Sequence, residues 1–177
     1  NINIDLFLKS GIDLKENNYI FELNNQLKEL GTMSNNFFKE LNITDEEINN
    51  TPIAPTAYNY VSHMYRQLLD GSLKSAVAGL LPCAWLYQEI GVELIKTGSP
   101  TSLYQRWIET YAGEEAAQEV AYQCDLINRL YDTADEIEQQ QMIDAFVISS
   151  RMEYLFWEMS YTLQTWPKGD TNATSKY

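Results

Sequence analysis

The chain carries a single histidine, His63, and that scarcity removes a class of chemistry. A histidine-rich metal site cannot be assembled, and no Glu-x-x-His pair of the kind that di-iron helical bundles use occurs. A haem ligand could only be His63. Cysteine is almost as rare: Cys83 and Cys124 stand alone, outside any Cys-x-x-Cys pair, so neither a disulfide framework nor a thiolate zinc site is indicated. Glycine-rich phosphate loops are absent, which removes nucleotide-binding readings that rest on one. Basic residues number 12 against 25 acidic ones, a formal net charge of -13. A polyanion is repelled over most of such a surface, and no nucleic-acid partner is expected. No apolar run is long enough to span a bilayer and no basic-then-apolar leader opens the chain, so a cytoplasmic protein without a membrane partner is the expectation. Asn-x-Thr sequons at Asn42 and Asn172 come without a secretory signal and are read as chance.

Strand alternation is nearly absent too, and helical spacing fills its place. Ile20, Leu23, Leu27 and Leu30 recur at steps of three and four, predicting a helix from about Asn17 to Leu41 that ends near Asn42. Thr44 followed by Glu47 is a capping-box pattern for a short helix. Pro52 and Pro55 make the stretch over residues 49–60 a loop, and a second helix is expected from about Thr56 to Asp70-Gly71. A third runs from Ser72 to Thr97-Gly98, roughly 38 Å at 1.5 Å per residue, and Ser99-Pro100 breaks it. A shorter helix capped by Thr101 or Ser102 reaches Tyr111, and Gly113 separates it from another that runs to about Thr133. The last extends from about Ala134 to Trp166, where Pro167 stops it, and residues 168–177 form a polar tail. The expectation is one all-α domain over residues 1–177, a helical bundle.

Two helices carry oddities. On the third, Ala76, Leu80, Cys83, Tyr87, Ile90 and Leu94 form one stripe, which predicts that Cys83 and Tyr87 share the buried face. Pro82 removes a backbone donor and clashes with the carbonyl of Ala78, at a cost of about 3 kcal/mol or more in a straight helix, so a bend beside the thiol is expected. A buried free cysteine is commonly an apolar filler, and Cys83 alone leaves the functional and the structural readings open. On the last helix, Met142, Phe146, Ser149, Glu153, Phe156 and Ser160 form a matching stripe with a carboxylate at its middle. A carboxylate so placed must pair or hold its proton through a raised pKa; Arg151 is near in sequence but lies off that face. The 12 tyrosines are the third oddity. Several fall at helical spacing, and those converging on Cys83 and Glu153 would make an aromatic box suited to a flat heteroaromatic ligand. A Cys-His protease is the competing use of a nucleophilic cysteine, but no such signature surrounds Cys83.

Four segments in order, PTAYNYVSHM, LLPCAWLYQEIG, YQRWIETYAG and FVISSRMEYLFWEMSYTLQTWP, resemble the TenA/THI-4 family, the thiaminase II or aminopyrimidine aminohydrolase group of thiamin salvage. The resemblance covers the chain from about residue 15 to Pro167. It implies a haem-oxygenase-like helical bundle, a homotetramer, and no metal or organic cofactor. The implied activity is hydrolysis that releases hydroxymethylpyrimidine from thiamin or from its aminopyrimidine breakdown products. By similarity Cys83 is the nucleophile that adds to the pyrimidine ring and Glu153 the acid that protonates the ring nitrogen and then assists water. Tyr87 and Tyr111 match tyrosines beside the thiol and substrate, and Tyr60 the aromatic that stacks on the pyrimidine.

Family members usually begin with additional helices, one of which supplies an aspartate that grips the pyrimidine. Asp5 is not assigned that role, because residues 3–17 sit better against the end of the following helix and the loop after it, and the chain, which opens at Asn1, is expected to be N-terminally incomplete. The alternative reading is a TenA-like pyrimidine-binding or interaction protein without catalysis. A weaker one is a related enzyme of the same fold acting on another heteroaromatic.

Overall fold

The computed structural model describes residues 34–167, and every regular element among them is a helix. Helix α1 is seen over residues 34–40; its expected start near Asn17, like Asp5, lies outside the described residues. It stops where expected, because Asn42 takes a left-handed backbone (φ 57°) and Ile43 N–H donates back to the Phe38 carbonyl at 2.8 Å. Helix α2 (Asp45–Asn50) opens on the expected capping box: Glu47 N–H donates to Thr44 Oγ1, and Thr44 N–H to the Glu47 carboxylate at 2.8 Å. Helix α3 (Pro55–Leu69) starts with proline at its first position, where the missing N–H costs nothing. Helices α4 (Leu73–Leu94), α5 (Ser102–Ala112), α6 (Glu114–Asp132) and α7 (Glu136–Thr162) complete the order.

Two compact units emerge. The first takes the described residues up to Pro52 together with Gln88–Glu119, and the second takes Ile53–Tyr87 and the residues from Val120 onward. In the first, Gly91 lies against the C-terminal end of α5, and a Cβ there would stand 2.7 Å from Ala112 N. Only glycine lets the backbones approach so closely. Ile108 is buried in this unit, and Trp107 and Tyr111 pair with ring centroids 4.8 Å apart.

In the second unit α3 packs on α7. His63 faces Ala145, Met64 faces Ser149 and Tyr60 faces Glu153, so the helices run antiparallel. Ser75, Ala76, Val77, Ala78, Leu81 and Pro82 of α4 are buried as a block, and Gly79 lies against Ala145 and Ser149 of α7. Lys74 ties the start of α4 to the α6–α7 joint through the Thr133 carbonyl at 3.1 Å and Glu138 at 2.8 Å.

Three expectations need correction. Helix α7 does not reach Trp166: Leu163 adopts a left-handed conformation (φ 53°), and its N–H and that of Gln164 return to carbonyls of the last turn. The chain then folds back, with Gln164 Oε1 accepting from Thr56 N–H at 3.0 Å and Trp166 Nε1 donating to the Ile53 carbonyl at 2.8 Å. These bonds replace the further turn of helix and supply the cap that Ala54 cannot give to α3. Helix α4 ends at Leu94, before Ser99-Pro100, because Gly98 (φ 65°) donates its N–H to the Leu94 carbonyl and closes the end. Finally, Cys83 is exposed rather than on the buried stripe. Residues 76–82 of α4 are apolar all round, so their burial follows their neighbours instead of one stripe. Helix α4 runs through Pro82 without interruption, and the proline ring is fully buried.

Candidate active site

The structure brings four of the five expected residues together in the second unit. Glu153 is the hub, only 2% exposed on the inner face of α7. The Tyr60 hydroxyl, reaching from α3, donates to Glu153 Oε1 at 2.7 Å. The Cys83 thiol, reaching from α4, also hydrogen-bonds to the Glu153 carboxylate. Tyr87 stands one turn beyond Cys83, close enough to Tyr60 to affect its ionisation. Tyr111 belongs to the other unit, where its partner is Trp107.

Three helices thus contribute one group each to a small polar cluster, and their mutual effects are legible. Burial raises the Glu153 carboxyl above the usual carboxylate range, while the donated bonds from Tyr60 and Cys83 oppose that rise. The Cys83 thiol is pushed up to about 12, first by the protein crowded around it and then by the neighbouring carboxylate. Its surface is nonetheless reachable, because one side stays open. At neutral pH the cluster therefore holds a neutral thiol and a phenol pushed far above its ordinary value. Such an arrangement can pass a proton from sulfur to carboxylate when the sulfur bonds to carbon.

Trp157 was not singled out by residue spacing. It lies four residues past Glu153, as Tyr87 lies four past Cys83, and the two rings pair with centroids 5.4 Å apart. The signal was that shared offset, which becomes meaningful once Cys83 and Glu153 are known to meet. Cys124 lies apart on α6 in a half-buried position. His63 is buried on α3, its Nδ1 3.4 Å from Gln67 Nε2 and its Nε2 facing Ala145 without a hydrogen bond of ordinary geometry. Among the described residues no group of three or more His, Cys, Asp or Glu side chains could hold a metal ion, and no helix is long and apolar enough to cross a membrane.

Comparison with known proteins agrees with this arrangement of helices. The X-ray structure of a TenA homologue from Pyrococcus furiosus superposes with a TM-score of 0.78 at 21% identity, covering 89% of this chain and 74% of that one. That likeness speaks to the fold, which is helical and haem-oxygenase-like. An aminopyrimidine aminohydrolase of Bacillus subtilis (strain 168) is 41% identical over 130 residues, 73% of this chain and 55% of that protein. Another, of Helicobacter pylori, is 32% identical over 143 residues, 78% of this chain and 63% of that protein. The chain therefore spans between 55% and 63% of the length of these two relatives. The model of the TENA/THI-4/PQQC family matches residues 10–163, a stretch that contains the helices carrying Tyr60, Cys83 and Glu153, and the chain belongs to that family.

Proposed function

We propose that this chain is a hydrolase of thiamin-derived aminopyrimidines in which Cys83 is the nucleophile and Glu153 the acid and base. The observation that carries the reading is the buried Glu153 carboxyl held by both the Cys83 thiol and the Tyr60 hydroxyl. The relatives from Bacillus subtilis and Helicobacter pylori, both aminopyrimidine aminohydrolases, supply the substrate class.

The chemistry follows from the cluster. Addition of sulfur to a pyrimidine ring carbon breaks the ring's aromaticity and places negative charge on a ring nitrogen. Glu153 takes the thiol proton as the sulfur–carbon bond forms and delivers one to that nitrogen, so no separate base is required. The substituent then leaves from the ring's methylene carbon, water adds there with Glu153 as base, and departure of sulfur restores the aromatic ring. Tyr60 keeps the Glu153 carboxylate oriented through its 2.7 Å bond and offers its ring face to the pyrimidine. Tyr87 flanks the thiol, and Tyr111 is assigned by resemblance alone. Val147, Tyr154 and Leu155, exposed along an apolar groove of α7, suit the self-association that the resemblance implies.

Cys83→Ala is expected to abolish release of hydroxymethylpyrimidine while far-UV circular dichroism stays unchanged. Glu153→Gln should lose about 100-fold or more, the usual scale of a positioned acid–base group. Undiminished product release by the Cys83→Ala protein, followed by chromatography, would sink the cysteine mechanism.

A further inference from the structure

Helices α4 and α7 meet in three successive layers, each four residues further along both chains. Gly79 lies against Ser149, Cys83 bonds to Glu153, and Tyr87 pairs with Trp157. Four residues advance a helix by about 6 Å, so the layers form a short ladder in which both helices travel the same way. The ladder is closed at one end and open at the other: Ser149 is 0% exposed, Glu153 2% and Trp157 41%. Below the thiol the two helices are in close contact: a methyl group on Gly79 would stand 3.3 Å from Ser149 Oγ. The open end of the ladder, past Tyr87 and Trp157, gives a flat ring engaged by Cys83 and Glu153 room for its substituent.

We propose that the Tyr87–Trp157 pair is the wall that receives the leaving group, and that Trp157 selects a positively charged one. The inference rests on the aminopyrimidine reading above and names the part of the substrate which that reading leaves open. Two chemical arguments favour a cation. Indole is the strongest of the aromatic acceptors for a positive charge, and this one is partly open to solvent, where a departing group must pass. The chain's net charge of -13 draws cations towards it, and Glu158, exposed on α7, is the next residue after Trp157. Both candidate substituents, a thiazolium ring and a protonated aminomethyl nitrogen, carry that charge while attached to the methylene carbon and depart as neutral thiazole or amine, so the contact acts on the bound substrate.

The test compares a charged and a neutral ligand on the full chain. Isothermal titration with thiamin and with 4-amino-5-hydroxymethyl-2-methylpyrimidine, which lacks the cation, is run on wild type, Trp157→Leu and Trp157→Phe. Trp157→Leu should weaken thiamin by about 2- to 30-fold, the range of a cation–ring contact, and leave the neutral pyrimidine within twofold. Trp157→Phe, which keeps an aromatic ring, should recover part of the loss and guards against a folding defect. On turnover the loss should fall in KM rather than in kcat. Equal weakening of both ligands, or of neither, overturns the inference. A wild-type chain that binds both pyrimidines but turns over neither would end the hydrolase reading while the contrast between charged and neutral ligands still upheld the wall.

Discussion

Glu153 carries two opposing influences, and their balance can be read through Tyr60. Burial lifts the carboxyl's pKa, and the hydroxyl bond at 2.7 Å lowers it by stabilising the charged form. In the proposed relay the cluster must hold one proton, on sulfur or on carboxylate, so the rate rises with pH as Glu153 loses the second. It does not fall again until the thiol ionises, near its raised value of about 12. Tyr60→Phe removes a donor to the carboxylate, which raises the Glu153 pKa further. The acid limb of kcat/KM should therefore move to higher pH in that variant, with the alkaline limb hardly displaced. A limb that stays put, or moves to lower pH, would mean that the titrating group is not Glu153. At this scale the sequence was informative about Glu153, since a carboxylate midway along a stripe of Met142, Ser149 and other buried side chains admits few explanations. It was less so about Cys83, whose exposure depends on what packs around α4 and not on the helix's own pattern.

Among the elements, α4 is the one whose packing is least forgiving. Gly91 sits in a helix interior, where alanine normally gains about 0.5–1 kcal/mol. Here the added Cβ would meet Tyr111 C and Ala112 N at 2.7 Å, both backbone atoms that cannot swing aside. Overpacking of that kind typically costs about 1–3 kcal/mol, more than the gain in propensity. Gly91→Ala should therefore lower the melting temperature by several degrees, given about 2–4 °C per kcal/mol in a chain of this size. An unchanged or higher melting temperature in differential scanning calorimetry would show that α5 gives way. Helix positions were largely legible: the Thr44–Glu47 box and the joint at Asp70-Gly71 fall where local chemistry puts them. The end of α7 was not, because Leu163 has no sequence mark of a left-handed cap and its reason lies in Ile53 and Thr56, more than 100 residues earlier.

Across the whole molecule, the excess of acidic residues sets a second condition on stability. Among the described residues the ion pairs are mostly exposed, such as Arg66 with Asp70 and Arg129 with Asp125, and pairs of that kind contribute little. A net charge of -13 repels itself in the compact state more than in the expanded one. Raising salt from about 20 mM to about 300 mM shortens the screening length from roughly 20 Å to under 10 Å and should raise the melting temperature at neutral pH. A melting temperature that falls with salt would show that attractive pairs outweigh the repulsion. The net charge needed no structure to read, whereas the meeting of Tyr60, Cys83 and Glu153 from three separate helices could be reached from residue spacing only with the help of a family likeness.

The return of the chain after α7 has a consequence in time. Helix α3 is synthesised about 100 residues before Gln164, which completes its first turn, and the contact joining them spans 108 positions. Contacts so distant in sequence form late, because the chain must first surrender the freedom of the intervening loop. Until then the turn that leads into Tyr60 has no cap of its own, since Ala54 offers none. The helix that carries the hydroxyl tuning Glu153 thus depends, for its first turn, on a segment that lies beyond α7 in sequence.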